Sequence, residues 1–244
     1  MQNQFDPRTN TQGFGPAVSV GVPRAARDAG LRSYMLKVYN YMASAVLLTG
    51  IVAMLFASSG LAAQVLVTPL RWLIILAPLA FVMVMSFGMN RLSTGTLQTL
   101  FWAFAVAMGL SMSSIFLVYT GMSIAQTFFA VSAAFLGLSL YGYTTKKDLS
   151  GFGTFLIMGV VGLLVAMIIN LFLQSPAMQL AISAIGVLLF AGLTAYDTQK
   201  IKSMYAHVAG TDMMGKVVIM GALNLYLDFI NMFTFLLQFM GDRR

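Results

Sequence analysis

Seven long apolar runs, at residues 38–58, 72–89, 97–119, 124–144, 152–173, 177–199 and 217–240, are joined by short connections and leave this chain little choice of surroundings. An apolar stretch of about 20 residues matches the hydrocarbon thickness of a bilayer. Within lipid only helices and closed barrels satisfy their own backbone polar groups. Barrel strands alternate apolar and polar residues over about 10 positions, whereas these runs are continuous, so the expected fold is an all-α integral membrane protein with seven transmembrane helices. Of 244 residues, 59% are hydrophobic and 9% charged, against about a quarter charged in a soluble domain. Seven spans take about 140 residues and leave about 100 for tails and turns, too few for a separate soluble catalytic domain.

Residues 1–33 are rich in Gly, Pro, Asn, Gln and Arg and poor in large apolar side chains. Such a segment buries too little surface to offset its ordering, so a flexible cytoplasmic tail is expected over 1–33 and the seven-helix domain over 34–242. The first run ends in FASSGLAAQ, which resembles a signal-peptidase site. Its length of about 20 residues exceeds the 7–15 of a signal peptide, and a retained span is the better reading. Eleven basic residues fall before span one and in the turns after spans two, four and six, against Arg71, Arg243 and Arg244 on the other side. Positive loops stay in the cytoplasm. The amino terminus is therefore expected inside and the carboxyl terminus outside, although Arg243 and Arg244 would suit a last segment that re-enters without crossing.

The same residues exclude several chemistries. The chain has no Cys and one His, His207, which removes disulfides, thiol catalysis, zinc-finger spacings and covalent haem attachment. The net charge of +7 is spread between apolar runs and not gathered on a soluble face, so nucleic acid is not an expected partner. Small residues at four-residue spacing in span four, Ala130 with Ala134 and Ala133 with Gly137, mark a candidate face for close helix packing. The 19 Met and 19 Phe read as core filler and lipid contact.

All seven acidic residues are aspartates, and Asp148 and Asp212 fall in turns where water solvates them. Asp228 lies about 11 residues into the last run, roughly 16 Å along a helix and near mid-membrane. Asn224, Asp228, Asn231, Phe235 and Gln238 recur at spacings of three and four and share one helical face. An ionisable residue on an inward polar stripe marks a functional site, with a packing hydrogen bond as the competing reading. Asp197 falls near the cytoplasmic end of span six, with Thr194 on the same side and Lys200 three positions on; a surface-level pair with Lys200 would also account for it. Spans six and seven run antiparallel through a short turn, so the two carboxyls can meet. Two carboxylates held away from bulk water share a proton and titrate in coupled steps. Deprotonated, they are hard anionic ligands suited to calcium, whose shell of 6–8 oxygens would need carbonyls, water, Asn224 or Asn231 to complete it.

The runs GLTAYDTQKIK around Asp197, ALNLYLDFINMF around Asp228 and KKDLSGFGTF after span four resemble the Bax-inhibitor family of seven-helix membrane proteins, in order and spacing, over about residues 30–240. The minimal loops point to a bacterial member, and the resemblance implies a central last helix and an aspartate pair, Asp197 and Asp228, acting as a pH-responsive latch in a calcium leak. It also implies a basic residue at the inner end of helix two that engages the latch. Arg91, in the run GMNRLSTG, is the candidate; Asn90 competes for the register, one step or about 100° away round the helix.

The expected function is thus a proton-gated calcium leak across a bacterial inner membrane, with lipid, calcium and protons as partners and no resident cofactor. The alternative is a regulatory protein that binds and restrains another membrane protein, a cell-death factor or membrane protease, through its exposed tail and loops. An enzyme is not expected. Membrane aspartyl proteases carry a catalytic Gly beside one Asp, whereas Asp197 is flanked by Tyr196 and Thr198 and Asp228 by Leu227 and Phe229. Serine chemistry would want a buried His, and His207 falls in a loop.

Overall fold

The computed structural model describes residues 24–244, with side chains from Arg27 onward. Among them the chain forms α1 (Arg24–Ser58), α2 (Leu61–Val65), α3 (Leu70–Gly88), α4 (Thr94–Met112), α5 (Ser114–Val118), α6 (Gly121–Thr144), α7 (Ser150–Leu173), α8 (Pro176–Val208) and α9 (Met213–Met240). Seven segments are long and apolar enough to span a bilayer, with α4 and α5 together forming the third. The seven-helix expectation therefore holds.

Helix boundaries follow local chemistry. Ser93, Thr120 and Ser175 stand just before α4, α6 and α8, and their hydroxyls accept from the backbone N–H three residues on, which satisfies donors that the helix cannot pair itself. Pro176 occupies the first turn of α8, where its missing N–H costs nothing. Left-handed Gly60 and Gly210, both at φ 76°, shape the turns after α1 and α8.

Two boundaries differ from the sequence expectation. Residues 24–33, assigned above to the tail, are the opening turns of α1, because RAARDAGLR is rich in helix formers and is held against α8. A side chain at Gly30 would strike the Tyr205 hydroxyl, and Tyr34 O–H donates to the Ile201 carbonyl at 3.3 Å. The tail expected over residues 1–23 lies outside the described residues. At the other end the domain reaches 244: Tyr119 and Arg243 form an antiparallel bridge, and Arg244 N–H donates to the Val118 carbonyl at 2.9 Å.

That bridge settles how α9 ends. The turns 89–93, 145–149 and 209–212 share one face of the bundle, here the lysine face, while the turn at 119–120 lies on the opposite face with the C-terminal residues. The last helix thus crosses fully, and a re-entrant segment is ruled out.

In the most hydrophobic stretch of α9, 72% of residues are buried, against 11–33% in the other spans. It is the central helix, surrounded by α1, α4, α6 and α8. One apolar core joins α9 to α1, α4 and α6 around Tyr34, Phe101, Phe104, Leu225 and Met232. A smaller one, with Leu156, Leu163, Ile182, Leu189, Leu193 and Phe235, lies between α7, α8 and α9.

The small-residue stripe expected to pack α6 points the other way. Ala130, Ala133, Ala134 and Gly137 are exposed, while Ser123, Thr127, Val131, Phe135, Ser139 and Gly142 form the buried face. At Gly142 the backbones of α6 and α8 touch, and a side chain there would collide with the Ala195 carbonyl. Burying the hydroxyls of Ser123, Thr127 and Ser139 removes polar groups from lipid, which a stripe of alanines does not require.

Candidate functional site

The α8–α9 turn makes these helices antiparallel neighbours. Asp197 lies eleven residues before the end of α8 at Val208, and Asp228 fifteen residues after the start of α9 at Met213. At 1.5 Å per residue these are about 17 Å and about 22 Å from the lysine-face ends, so both carboxyls stand at similar depth. Asp228 is 4% exposed and Asp197 half-buried. Asp197 and Asp228 are the carboxyls of this antiparallel helix pair, with Lys200 one turn beyond Asp197 on α8.

Asp228 Oδ2 is buried with no hydrogen-bond partner. An unpaired carboxyl oxygen in a protein interior costs several kcal/mol, on the order of what a helix-packing contact returns. A purely structural Asp228 would be expected to bond a neighbouring helix with that atom. This one does not.

The residues around the pair divide into satisfied and free. Thr194 is fully buried, and its hydroxyl donates to the Phe190 carbonyl of its own helix at 2.8 Å. Thr198, also buried, lies 3.5 Å from the Ser139 hydroxyl on α6. Asn224 and Asn231 are half-buried, one turn to either side of Asp228. Among the described residues no three or more His, Cys, Asp or Glu side chains gather to hold a metal. A cation here would have the two carboxyls, the asparagine amides and carbonyl oxygens as ligands.

Lys200 and Arg91 are placed differently from their candidate roles. Lys200 Nζ lies over the Tyr196 ring, 5.8 Å from its centroid, so its charge reaches Asp197 without forming the surface pair considered above. Arg91 is exposed in the turn after α3, beside exposed Asn90.

Two lysines carry roles that their sequence positions did not suggest. Lys216 at the start of α9 donates to the Met89 carbonyl at the end of α3, 3.3 Å away. Lys202 on α8 donates to the Tyr143 carbonyl at the end of α6 at 2.6 Å and lies 4.9 Å from the centre of that ring. Both put a cation on the unpaired carbonyls of a helix C-terminus, where the macrodipole favours it.

Toward the opposite face, the α9 stripe ends in an amide cluster. Asn170 Nδ2 donates to Gln179 Oε1 at 3.1 Å, and Gln179 Nε2 donates to Gln238 Oε1 at 2.9 Å. Asn170 and Gln179 interrupt apolar runs as Asp228 does, and that was the available signal for them. They line a cavity of about 490 Å³ with Gln174, Gln238 and Arg243. A separate groove of about 410 Å³ between α1, α5, α6 and α9 is lined by Leu47, Met54, Phe129 and Phe229 among others and contains no charged group; it is not part of the carboxyl site.

Comparisons with known proteins agree with this architecture. The family described as "Inhibitor of apoptosis-promoting Bax1" matches residues 31–244. An uncharacterized protein of Rickettsia prowazekii is 49% identical over 219 residues, covering 89% of this chain and 92% of the relative. Inner membrane protein YbhL of Escherichia coli K12 is 47% identical over 235 residues, 95% of this chain and 99% of that one. An uncharacterized membrane protein of Streptococcus pyogenes is 34% identical over 218 residues, with 88% and 94% covered.

Proposed function

Because the chain belongs to the Bax inhibitor family, a family of multi-pass membrane proteins, we propose that it is a pH-sensitive calcium leak gated by Asp197 and Asp228. The observation that carries the reading is the Asp228 carboxyl: central, 4% exposed, and with one oxygen unpartnered, at similar depth to a second carboxyl on the adjoining helix. A group so placed is costly for stability, and intramembrane carboxyls of this kind mark proton and ion pathways.

In the closed state the pair retains a proton, so the two carboxyls carry at most one charge and α8 stays packed on α9. Loss of that proton leaves two like charges facing each other where few dipoles screen them, and their repulsion loosens the helix pair. The same oxygens are then free to meet a hard cation, with Asn224, Asn231 and carbonyl oxygens supplying further ligands. Few fixed ligands make for weak, transient binding, which suits passage better than storage. Arg91 engages the pair only after a shift of the turn that carries it. The role is non-enzymatic. By the name of the Escherichia coli relative, the protein belongs in a bacterial inner membrane, with the lysine face and amino terminus in the cytoplasm.

The test is calcium flux into dye-loaded proteoliposomes from about pH 5 to pH 8, for wild type, Asp197→Asn and Asp228→Asn. Wild-type flux should rise with pH as the shared proton leaves, and either substitution should flatten that dependence. Equal pH profiles for all three proteins would sink the latch. A purified protein that carries no calcium at any pH would shift the reading to a membrane protein that binds and restrains another.

A further inference from the structure

The polar face of α9 is interrupted at one place. Reading from the lysine face, Asp228 is followed by Asn231, Phe235 and Gln238, successive positions on one side of the helix. Gln238 belongs to the amide-lined cavity at the opposite face, about 15 Å along the helix from Asp228. Phe235 lies between them, 6% exposed.

Its neighbours form a seat for the ring. Phe235 rests on Gly186 of α8, where an added Cβ would lie 2.6 Å from the ring, and it stacks on Phe190 with centroids 5.9 Å apart and planes at 21°. Ile182 and Leu189 of α8 close the same apolar layer. Glycine at 186 keeps the wall of α8 flat enough for the ring to lie across the gap. The side chains that meet the ring are apolar, and the one hydroxyl at this level on α8, Ser183, is spent on the Gln179 carbonyl of its own helix at 2.8 Å; toward the lysine face stand Asn231 and Asp228, and toward the other face the amides. A short apolar constriction between two polar compartments excludes ions and water without any bond to break.

We propose that Phe235, seated on Gly186, is the gate between the amide-lined cavity of Asn170, Gln179 and Gln238 and the carboxyl pair. Rotation of the ring off the glycine joins Asn231 to Gln238 and makes the polar face of α9 continuous. Arg243, whose guanidinium lies 5.9 Å from the Tyr119 ring centre, also lines that cavity. The gate rests on the reading of Asp197 and Asp228 as an ion site, but its test does not require calcium transport.

The chain has no cysteine, so one introduced thiol is the sole target for a thiol reagent. Asn231→Cys sits just beyond the proposed gate. A membrane-impermeant cationic methanethiosulfonate is applied to spheroplast or inverted membranes, from the face on which an Arg243→Cys control reacts at once. With Phe235 present, Asn231→Cys should react slowly. Adding Phe235→Ala should speed the reaction on the order of tenfold or more, while Phe235→Leu, which keeps apolar bulk, should leave it slow. Equal rates with Phe235 and with Ala at 235 would overturn the gate. If Phe235→Ala does not fold, Gly186→Ala displaces the ring from the other side and should speed labelling; an unchanged rate there overturns the gate equally. Faster labelling in a protein that carries no calcium would keep the gate and sink the leak.

Discussion

Helices α7 and α9 are both long transmembrane segments, and they reverse what a soluble fold would do with them. α7 is the most apolar of the seven spans and 17% of its apolar window is buried; α9 is the least apolar, and 72% of its window is buried. In water the most apolar helix would go inside. In a bilayer the surroundings are as apolar as leucine, so apolar surface gains little by leaving them, whereas polar side chains have no partner except another helix or an internal cavity. Asn224, Asp228, Asn231 and Gln238 therefore draw α9 to the centre, and the aliphatic side chains of α7 stay with the lipid while its glycines lean on α8. Gly153 meets the Tyr196 ring and Gly159 meets Leu189.

The sharpest way to break this comparison is to add bulk to each environment. Gly142→Leu, at the contact of α6 with the Ala195 carbonyl, forces apart two backbones around the central helix and should cost about 1–3 kcal/mol. Gly162→Leu on α7, where nothing lies within 4 Å, should cost nothing and gains helix propensity. Thermal melting of the two variants in one detergent compares them directly. Equal losses would mean that α7 packs as tightly as the centre.

A smaller effect is expected from the hydrogen bonds that anchor α9. Tyr226 O–H lies 2.7 Å from the Thr49 hydroxyl, which itself donates to the Ala105 carbonyl at 2.8 Å, tying α9 to α1 and α4. Tyr226→Phe removes one link and leaves Thr49 satisfied, so a loss of about 0.6–1.5 kcal/mol is expected. Urea or detergent-mixture unfolding would read it. A loss well above that range would show that the three-helix link behaves as one cooperative network.

The smallest effect concerns the water-facing start of α7. Asp148 Oδ1 accepts from the Ser150 N–H at 2.9 Å, and the Ser150 hydroxyl and N–H together hold its carboxyl below the usual carboxylate range. A lowered folded pKa contributes stability that is present above the ordinary value and is lost as pH falls through the folded one. Ser150→Ala removes the hydroxyl and keeps the N–H, so the Asp148 midpoint should move part of the way back up. Carboxyl-carbon NMR titration would follow it, and an unmoved midpoint would assign the whole effect to the backbone bond.

These contrasts also separate what was legible in the chain from what was not. The seven spans, the depth of Asp228 and the shared face of Asn224, Asp228, Asn231 and Gln238 follow from runs and spacings, because lipid imposes its hydrogen-bonding demand on each segment separately. The start of α1 is not legible in the chain because residues 24–33 look polar, and it is Tyr205 on α8 that gives those turns a surface to hold. Likewise α6 carries two faces of small residues. Spacing favoured the alanines and Gly137, while the buried hydroxyls and Gly142 make the contact.

What the sequence determined alone is the class of fold, the number of long apolar helices and a buried carboxyl on the last of them, since hydropathy and helical period are properties of one segment. Tertiary structure alone decided that Lys216 and Lys202 reach the carbonyls ending α3 and α6, that Arg91 stays in its turn, and that Phe235 finds Gly186. Those outcomes depend on the shapes of two helices at once. Where lipid and side chains are equally apolar, hydropathy holds no information about which shapes will fit.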